Sequence, residues 1–268
     1  MIYPTQEQVS NAAIVQPRQE ARGKLRPLNL TQVTLNDAFW QPRRIINQLV
    51  TLKQQYQQIV ATGRLDNFRR AAGLIKAPFQ GIFFNDSDVY KWLEAAAWTL
   101  ATEKDGEIEQ LINKTITAIA GAQQDNGYLN TYFMYEHEAE RWTNIGDLHE
   151  LYCAGHLFQA AVAHHRATGK RSLLDIAIRL ADHIVTTFGP TAKAGACGHP
   201  EIEMALVELG RETGEERYIQ QALFFLNQRG QQPPVISGSD YHQDHQPVRE
   251  QQEVVGHAVR ALYLYAGM

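Results

Sequence analysis

Cysteine is nearly absent: Cys153 and Cys197 are the only two in 268 residues. Two thiols cannot build a disulfide framework, and their scarcity points to a reducing, cytoplasmic setting. Positive charge is scarce as well. Lys and Arg number 25 against 29 Asp and Glu, a formal net charge of −4. A nucleic-acid binder carries a strongly basic footprint, so that class is excluded. Long apolar runs are missing, since none approaches the roughly 18–20 residues that span a bilayer. The opening MIYPTQEQVSNAAIVQPRQEAR has no apolar leader core, and so neither export by that route nor a membrane partner is expected. What is present is a 44% hydrophobic share, enough for a large core and too much for a disordered chain.

Residues 1–26 are polar and aperiodic, and read as a loose arm ahead of a folded region over 27–268. PLNLTQVTLND, with Leu28, Leu30, Val33 and Leu35, predicts a short strand. Helical periodicity dominates after it, with helices predicted over 41–62, 87–103, 107–123, 147–167, 171–187, 200–213, 216–229 and 251–267. Ile108, Leu111, Ile112, Thr115 and Ile119 form one apolar stripe, and Leu173, Ile176, Leu180 and Ile184 another. ATEKDGE, ATGKRSL and ETGEERY punctuate three helix pairs. Gly169 and Gly214, 45 residues apart, suit the left-handed position that closes a helix. A unit of helix, tight turn, helix and long loop repeated at this spacing predicts an all-α array of αα-hairpins. An irregular helical domain is the plainer alternative. The long loops GIFFNDSD, QQDNGYLNTYF, GPTAKAGACGHP and SGSDYHQDHQPVREQ each lead into the first helix of a pair, which would gather them at one end of the array.

Ten histidines are many for this length. His149, His199 and His257 each stand at the start of the first helix of a different pair, so all three can converge. An imidazole there can hydrogen-bond a sugar hydroxyl, ligate a metal or move a proton. Helix capping and ordinary core packing are the competing explanations. A three-histidine zinc site finds little support, because neither HExxH nor a short Cys/His spacing occurs. His164–Arg166 and the pair His242 and His245 read as surface or loop features. Asp86, Asp88, Asp147, Glu150, Glu201, Glu203, Glu250 and Glu253 lie near helix starts, where the helix dipole favours acids in any case. No pair stands out as the two carboxyls of a glycosidase. Tyr128, Tyr132 and Trp142 either stack on sugar faces or pack the loops.

Six ordered segments, FNDSDVYKWLEAAAW, QQDNGYLNTY, HELYCAGH, GHPEIEMAL, ETGEERY and PVREQQEVVGHAVR, resemble glycoside hydrolase family 127, the β-L-arabinofuranosidases. The resemblance runs from about Leu28 to the last residue. It implies an (α/α)6 barrel, of which the predicted helices supply about four of six hairpins. It also implies that His149, His199 and His257 contact an arabinose-containing oligosaccharide or glycoconjugate, with Asp86 and Asp88 near the same mouth. The family's acid/base glutamate and zinc-bound cysteine nucleophile match no position of this chain. Neither Cys153 nor Cys197 takes those roles, and no catalytic residue and no metal ligand is assigned. Zinc, which would lower a thiol pKa and ready the thiolate for attack, is expected only in a complete family member.

The leading expectation is therefore the N-terminal portion of a retaining β-L-arabinofuranosidase-like enzyme, inactive by itself. One alternative is a carbohydrate-binding or split-protein module. Another is a toroidal uronyl hydrolase using carboxylates such as Asp88 and Glu150. The final run ALYLYAGM predicts an exposed apolar patch around Ala261, Leu262, Leu264 and Tyr265, fit for a missing C-terminal half or a second copy.

Overall fold

The computed structural model describes residues 13–17 and 23–268. The arm expected over 1–26 falls mostly on residues 1–12 and 18–22, outside the described set. Its described part includes Ala13, which is buried, and Ile14, whose carbonyl accepts from Arg166 Nη1 at 2.8 Å.

Helices α1 (Trp40–Ile46) and α2 (Leu52–Ala61) run on through one π turn at Asn47–Thr51, matching the single helix expected there. Helix α3 (Arg64–Ala71) follows. Then come α4 (Asp86–Thr102), α5 (Gly106–Ala122), α6 (Glu150–Thr168), α7 (Ser172–Thr187), α8 (Ile202–Thr213), α9 (Glu216–Gln228) and α10 (Ala258–Gly267). Successive pairs fold back on each other as hairpins. Helices α4, α6, α8 and α10 pack side by side in chain order with α2 against α4, and α3, α5, α7 and α9 form a second layer behind them. The tight turns are built as the sequence dictates. Gly169 and Gly214 adopt φ of 72° and 74°, a conformation that opposes any Cβ. Asp105 caps α5 by accepting from the backbone N–H groups of Glu107 and Ile108. The stripe Leu173, Ile176, Leu180 and Ile184 is buried along its whole length, each side chain contributing about 1.5–3 kcal/mol of apolar transfer.

The structure corrects several expectations. No strand forms among the described residues near Leu28, and Leu30–Gln32 is a single 3-10 turn. Asn29 accepts from Thr31 N while the Gln32 side chain accepts from Asn29 N, a local capping box. A strand there would need a partner to take its backbone groups, whereas the turn satisfies them locally. Helix α3 was not expected, because its charged face dilutes the apolar signal to Leu65 and Phe68. The last helix begins at Ala258 rather than 251. Gly256 sits at φ 74° with Asp240 O where a Cβ would go, and His257 is extended and caps the helix. Of the expected apolar patch, Ala261 and Leu264 are buried, Leu264 against Leu226 and Val248, whereas Leu262 is exposed beside Val259. His164 and Arg166 are buried too: Arg166 Nε donates to Glu212 at 2.6 Å and its Nη1 lies 3.0 Å from Glu208. Arg166 thus faces the acids of α8 and is paired internally rather than solvated, whereas the buried His164 Nδ1 has no hydrogen-bond partner among the described residues. Among the described residues no helix is long and apolar enough to cross a membrane.

Candidate functional site

The loops preceding α4, α6, α8 and α10 meet at one end of the array. Asp86, in the first turn of α4, accepts from Thr131 N at 2.7 Å and Thr131 Oγ1 at 2.5 Å, clasping the loop that leads toward α6. Gly198 N donates to Ile145 O, and a Cβ on Gly198 would lie 1.7 Å from Gly146 O. Only glycine permits that approach between two loops. Arg260 Nη1 donates to Gly198 O at 2.5 Å, tying α10 to the same junction, and Arg229 bonds the Cys197 carbonyl from beneath.

At this junction the three histidines come together. The His149 and His199 rings are 5.6 Å apart, and those of His199 and His257 6.3 Å. His149 stands in the left-handed region at φ 58°, an uncommon place for a residue with a Cβ. Its Nδ1 lies 2.6 Å from Asp147 O, and His199 Nδ1 lies 3.1 Å from Pro200 O. A carbonyl can only accept, so both Nδ1 atoms carry the proton and both Nε2 atoms are acceptors. His257 is the reverse: its Nδ1 accepts from Arg260 N at 3.4 Å, which leaves Nε2–H as a donor. Burial lowers the His149 pKa, and lowers that of His199 to about 4. At neutral pH these two rings are uncharged.

Tyr152, one turn along α6 from His149, holds the cluster together. Its ring lies 5.4 Å from His149, 4.6 Å from His199 and 4.5 Å from His156. Its hydroxyl accepts from Lys91 Nζ at 2.7 Å. Phe83 and Phe84 wall the His149 side, Tyr263 the His199 side and Tyr241 the His257 side. Beyond Lys91 a groove of about 660 Å³ runs between α2 and α4, lined by Gln54, Gln58, Arg64, Asp88 and Trp92. The mouth offers aromatic edges and neutral imidazoles, and the groove beside it offers amides, the Arg64–Asp88 pair and Lys91, polar groups able to hydrogen-bond a hydroxyl-rich ligand.

The two aspartates differ in what they offer. Asp86 is buried with both oxygens engaged by Thr131, and desolvation raises its pKa to about 6. Asp88 is half-exposed in the groove, its Oδ2 accepting from Arg64 Nε at 2.6 Å. Glu150 accepts from Tyr128 O–H and Trp142 N–H, at 2.7 and 2.6 Å, so it ties two loops to the start of α6. Tyr128 and Trp142 are buried in those loops, and Tyr132 stacks on His137 at 4.1 Å. Loop packing therefore occupies all three aromatics. Both cysteines are buried and unpaired. Cys153 Sγ donates to Phe84 O and Cys197 Sγ to His199 O, and burial pushes both thiol pKa values up, that of Cys197 to about 12. Thiols kept protonated and turned to carbonyls do not fit a zinc site, and no group of three or more metal-binding side chains occurs among the described residues. Sequence reasoning missed Tyr152, Lys91, Arg260 and Tyr263. Tyr152 alone carried a signal, its three-residue spacing from His149.

Residues 32–268 match the family model described as β-L-arabinofuranosidase, GH127 catalytic domain. The non-reducing end β-L-arabinofuranosidase of Bifidobacterium longum subsp. longum is 37% identical over 88% of this chain and 42% of its own length. A solved GH127 β-L-arabinofuranosidase from Geobacillus stearothermophilus T6 superimposes with a TM-score of 0.85 at 43% identity, covering 87% of this chain and 41% of that one. A solved GH127 β-arabinofuranosidase gives 0.83 at 40% identity, over 88% and 39%. The chain thus spans about two fifths of the length of the relatives it matches. With the hairpin array and the clustered imidazoles, these matches make the chain a member of the GH127 β-L-arabinofuranosidase family.

Proposed function

We propose that this chain is the sugar-gripping portion of a β-L-arabinofuranosidase-like glycoside hydrolase, with residues 27–268 forming part of the catalytic barrel. The observation that carries this reading is the set of three half-buried imidazoles within 6.3 Å of one another, neighbour to neighbour, each with Nδ1 committed to backbone and Nε2 turned to other use. Two acceptors and one donor on rigid helix starts can read the hydroxyl pattern of one furanose ring. The relatives' names supply arabinofuranose as the sugar. Asp88 lines the groove beyond Lys91, beside the imidazoles, and takes a hydroxyl of the next residue of the substrate, while Asp86 acts through the Thr131 loop.

Hydrolysis needs an acid/base carboxyl and a nucleophile, and the groups here are ill-suited to both tasks. Glu150 and Asp86 have both oxygens engaged, and neither thiol is exposed or ionised. The chain alone binds and does not turn over; the acid/base glutamate, the zinc-bound thiolate and the zinc come from a C-terminal half, whether on this chain's continuation or on a companion. The free, buried thiols fit a cytoplasmic setting. Calorimetry with L-arabinose tests the binding, and release from an aryl β-L-arabinofuranoside tests the rest. Saturable binding abolished in His199→Ala, with no aryl release, is the expected result. Turnover at ordinary enzyme rates of about 1–10³ s⁻¹ overturns the division of labour.

A further inference from the structure

Glu201 stands apart among the buried carboxylates. Glu203 pairs with Arg229, Glu208 with Arg166 and Arg211, and Asp244 accepts from the backbone of Gly230, Ser237 and Gly238. Glu201 is 1% exposed, yet neither carboxyl oxygen has a hydrogen-bond partner among the described residues. Beside it lies a buried imidazole that also lacks a partner at one nitrogen. His156 is 4% exposed, its Nε2 is unpartnered, and its Nδ1 lies 3.5 Å from Glu201 Oε1.

We propose that Glu201 is held as the neutral acid and shares its proton with the neutral His156 ring, and that this buried pair positions Tyr152 and His199 at the mouth. A carboxyl and an imidazole that are both uncharged carry two protons: one on Glu201 Oε1, donated to His156 Nδ1, and the ring's own on Nε2. A few tenths of an ångström of side-chain rotation brings 3.5 Å to ordinary hydrogen-bond length. The elements packed around the pair all bear on this state, and Lys91 opposes it, its positive charge favouring an ionised Glu201 against the larger effect of burial. From α4, Lys91 gives its Nζ to Tyr152 rather than to Glu201, and Glu94 adds negative charge. From α8, Glu203 adds more; from α10 and the preceding loops, Tyr263 and His199 offer neutral rings. An ionised Glu201 here would be a desolvated anion beside two acids, and burial accordingly raises its pKa well above the usual range. Burial and Lys91 lower that of His156 to about 2.

The route to the mouth is short. The Tyr152 ring meets His156 edge-to-face at 4.5 Å and His199 at 4.6 Å, and Glu201 is two residues from His199. Gly155 seats the pair: a Cβ there would lie 2.5 Å from Glu201 Cγ and 3.1 Å from its carbonyl carbon. Glu201 is thus a positioning residue, acting through Tyr152 and His199. The consequence for sugar rests on the function proposed above; the shared proton and the placement of the rings do not.

The test compares the wild-type chain with Glu201→Gln and Glu201→Ala. Infrared difference spectra at neutral pH should show a protonated carboxyl C=O band that both variants lose. Nitrogen-resolved NMR should show His156 neutral, its proton on Nε2, down to acid pH. His199 ring resonances should be unchanged in Glu201→Gln, which keeps a donor, and displaced in Glu201→Ala. L-Arabinose affinity should follow, within about twofold in the first variant and about tenfold weaker in the second. A protonated band absent from wild type, or His156 titrating near neutral pH, overturns the pair. His199 resonances identical in both variants overturn the positioning. If wild type binds no arabinose, the proposed function fails, and the infrared and His199 measurements still decide this inference. Should Glu201→Ala not fold, the carboxyl-carbon pH titration of wild type labelled at Glu decides the shared proton, and the His199 ring in Glu201→Asp, whose shorter acid cannot reach His156, decides the positioning.

Discussion

Glu150 gives the sharpest opportunity to test the electrostatics of the mouth, because replacing it should stabilise the protein at alkaline pH. The side chain is buried under the 123–133 and 141–149 loops, where desolvation raises its pKa from 4.5 to about 7 against the hydrogen bonds of Tyr128 and Trp142. The folded state therefore binds this proton more tightly than the unfolded state. Its stabilising contribution is complete below pH 4.5 and is lost as pH rises through 7. The ionised form is disfavoured in the fold by about 3 kcal/mol, the free energy equivalent of that pKa difference. Glutamine imitates the protonated acid at every pH. Its oxygen can stay on Trp142 N–H while its amide donates to the Tyr128 oxygen, the phenol rotating to accept. Urea denaturation of wild type and Glu150→Gln at pH 5 and pH 8 reads the difference. The variant should match wild type within about 1 kcal/mol at pH 5 and exceed it by about 2–3 kcal/mol at pH 8. A variant weaker than wild type at pH 8 would show that the carboxylate, not the acid, is the form this site holds.

Other perturbations separate the fold from the site. His257→Ala should weaken L-arabinose binding about tenfold or more while losing only a helix cap, about 1 kcal/mol by urea denaturation. Gly198→Ala drives a methyl into Gly146 O and should destabilise by about 3 kcal/mol or prevent folding, read by the thermal midpoint. Arg166→Met removes the buried cation shared by Glu208 and Glu212, leaving Arg211 on the first and His165 on the second, and should cost about 3 kcal/mol in the same assay. The histidines govern the acid limb. Burial lowers the pKa of His156 to about 2, and of His164 and His199 to about 4, so their stabilising contribution is present above 6.5 and is lost as pH falls through those values. Glu150 and Asp86, whose pKa values burial raises, act in the opposite sense over this range, so the readout is a difference: between pH 7 and pH 4, His164→Gln should gain about 3 kcal/mol relative to wild type in urea denaturation.

How much of this was legible depended on whether the signal was local. Gly169 and Gly214 mark helix ends because their backbone conformation excludes most side chains, and that constraint travels with the residue. The stripe through Leu173 and Ile184 announces its buried face for the same reason. The strand expected near Leu28 failed because four closely spaced apolar residues say nothing about a partner strand, while the Asn29 and Gln32 side chains settle the matter within one turn. The start of α10 failed because Gly256 is held by the approach of Asp240 from another part of the chain. The convergence of His149, His199 and His257 was readable from their equivalent places in repeated units. Their partners were not. Lys91 reaches Tyr152 from 61 positions away, and Arg260 reaches Gly198 from 62.

The charge state of the mouth decides which sugars suit it. Lys91 and Arg260 bring positive charge to the site, which by charge alone favours a uronate carboxyl. Each cation is turned to a neutral partner, Lys91 Nζ donating to the Tyr152 hydroxyl and Arg260 to Gly198 O while lying over the Tyr241 ring at 4.5 Å, and the Arg260 charge also helps keep His149 and His199 unprotonated. What faces the space between the loops is neutral imidazole, because burial keeps His149 and His199 unprotonated near pH 7. A carboxylate entering there would lose its hydration and meet two acceptor nitrogens, an arrangement that repels it. A neutral furanose loses less on desolvation and finds acceptors for two hydroxyl protons and a donor from His257. Acid alters the balance: protonating His199 near pH 4 turns an acceptor into a cationic donor, so L-arabinose affinity should fall there while any affinity for a uronate rises. Calorimetry with arabinose and galacturonate at pH 7 and pH 4 measures both. Tighter binding of galacturonate than arabinose at pH 7 would refute the neutral-imidazole account and return the uronyl reading to first place.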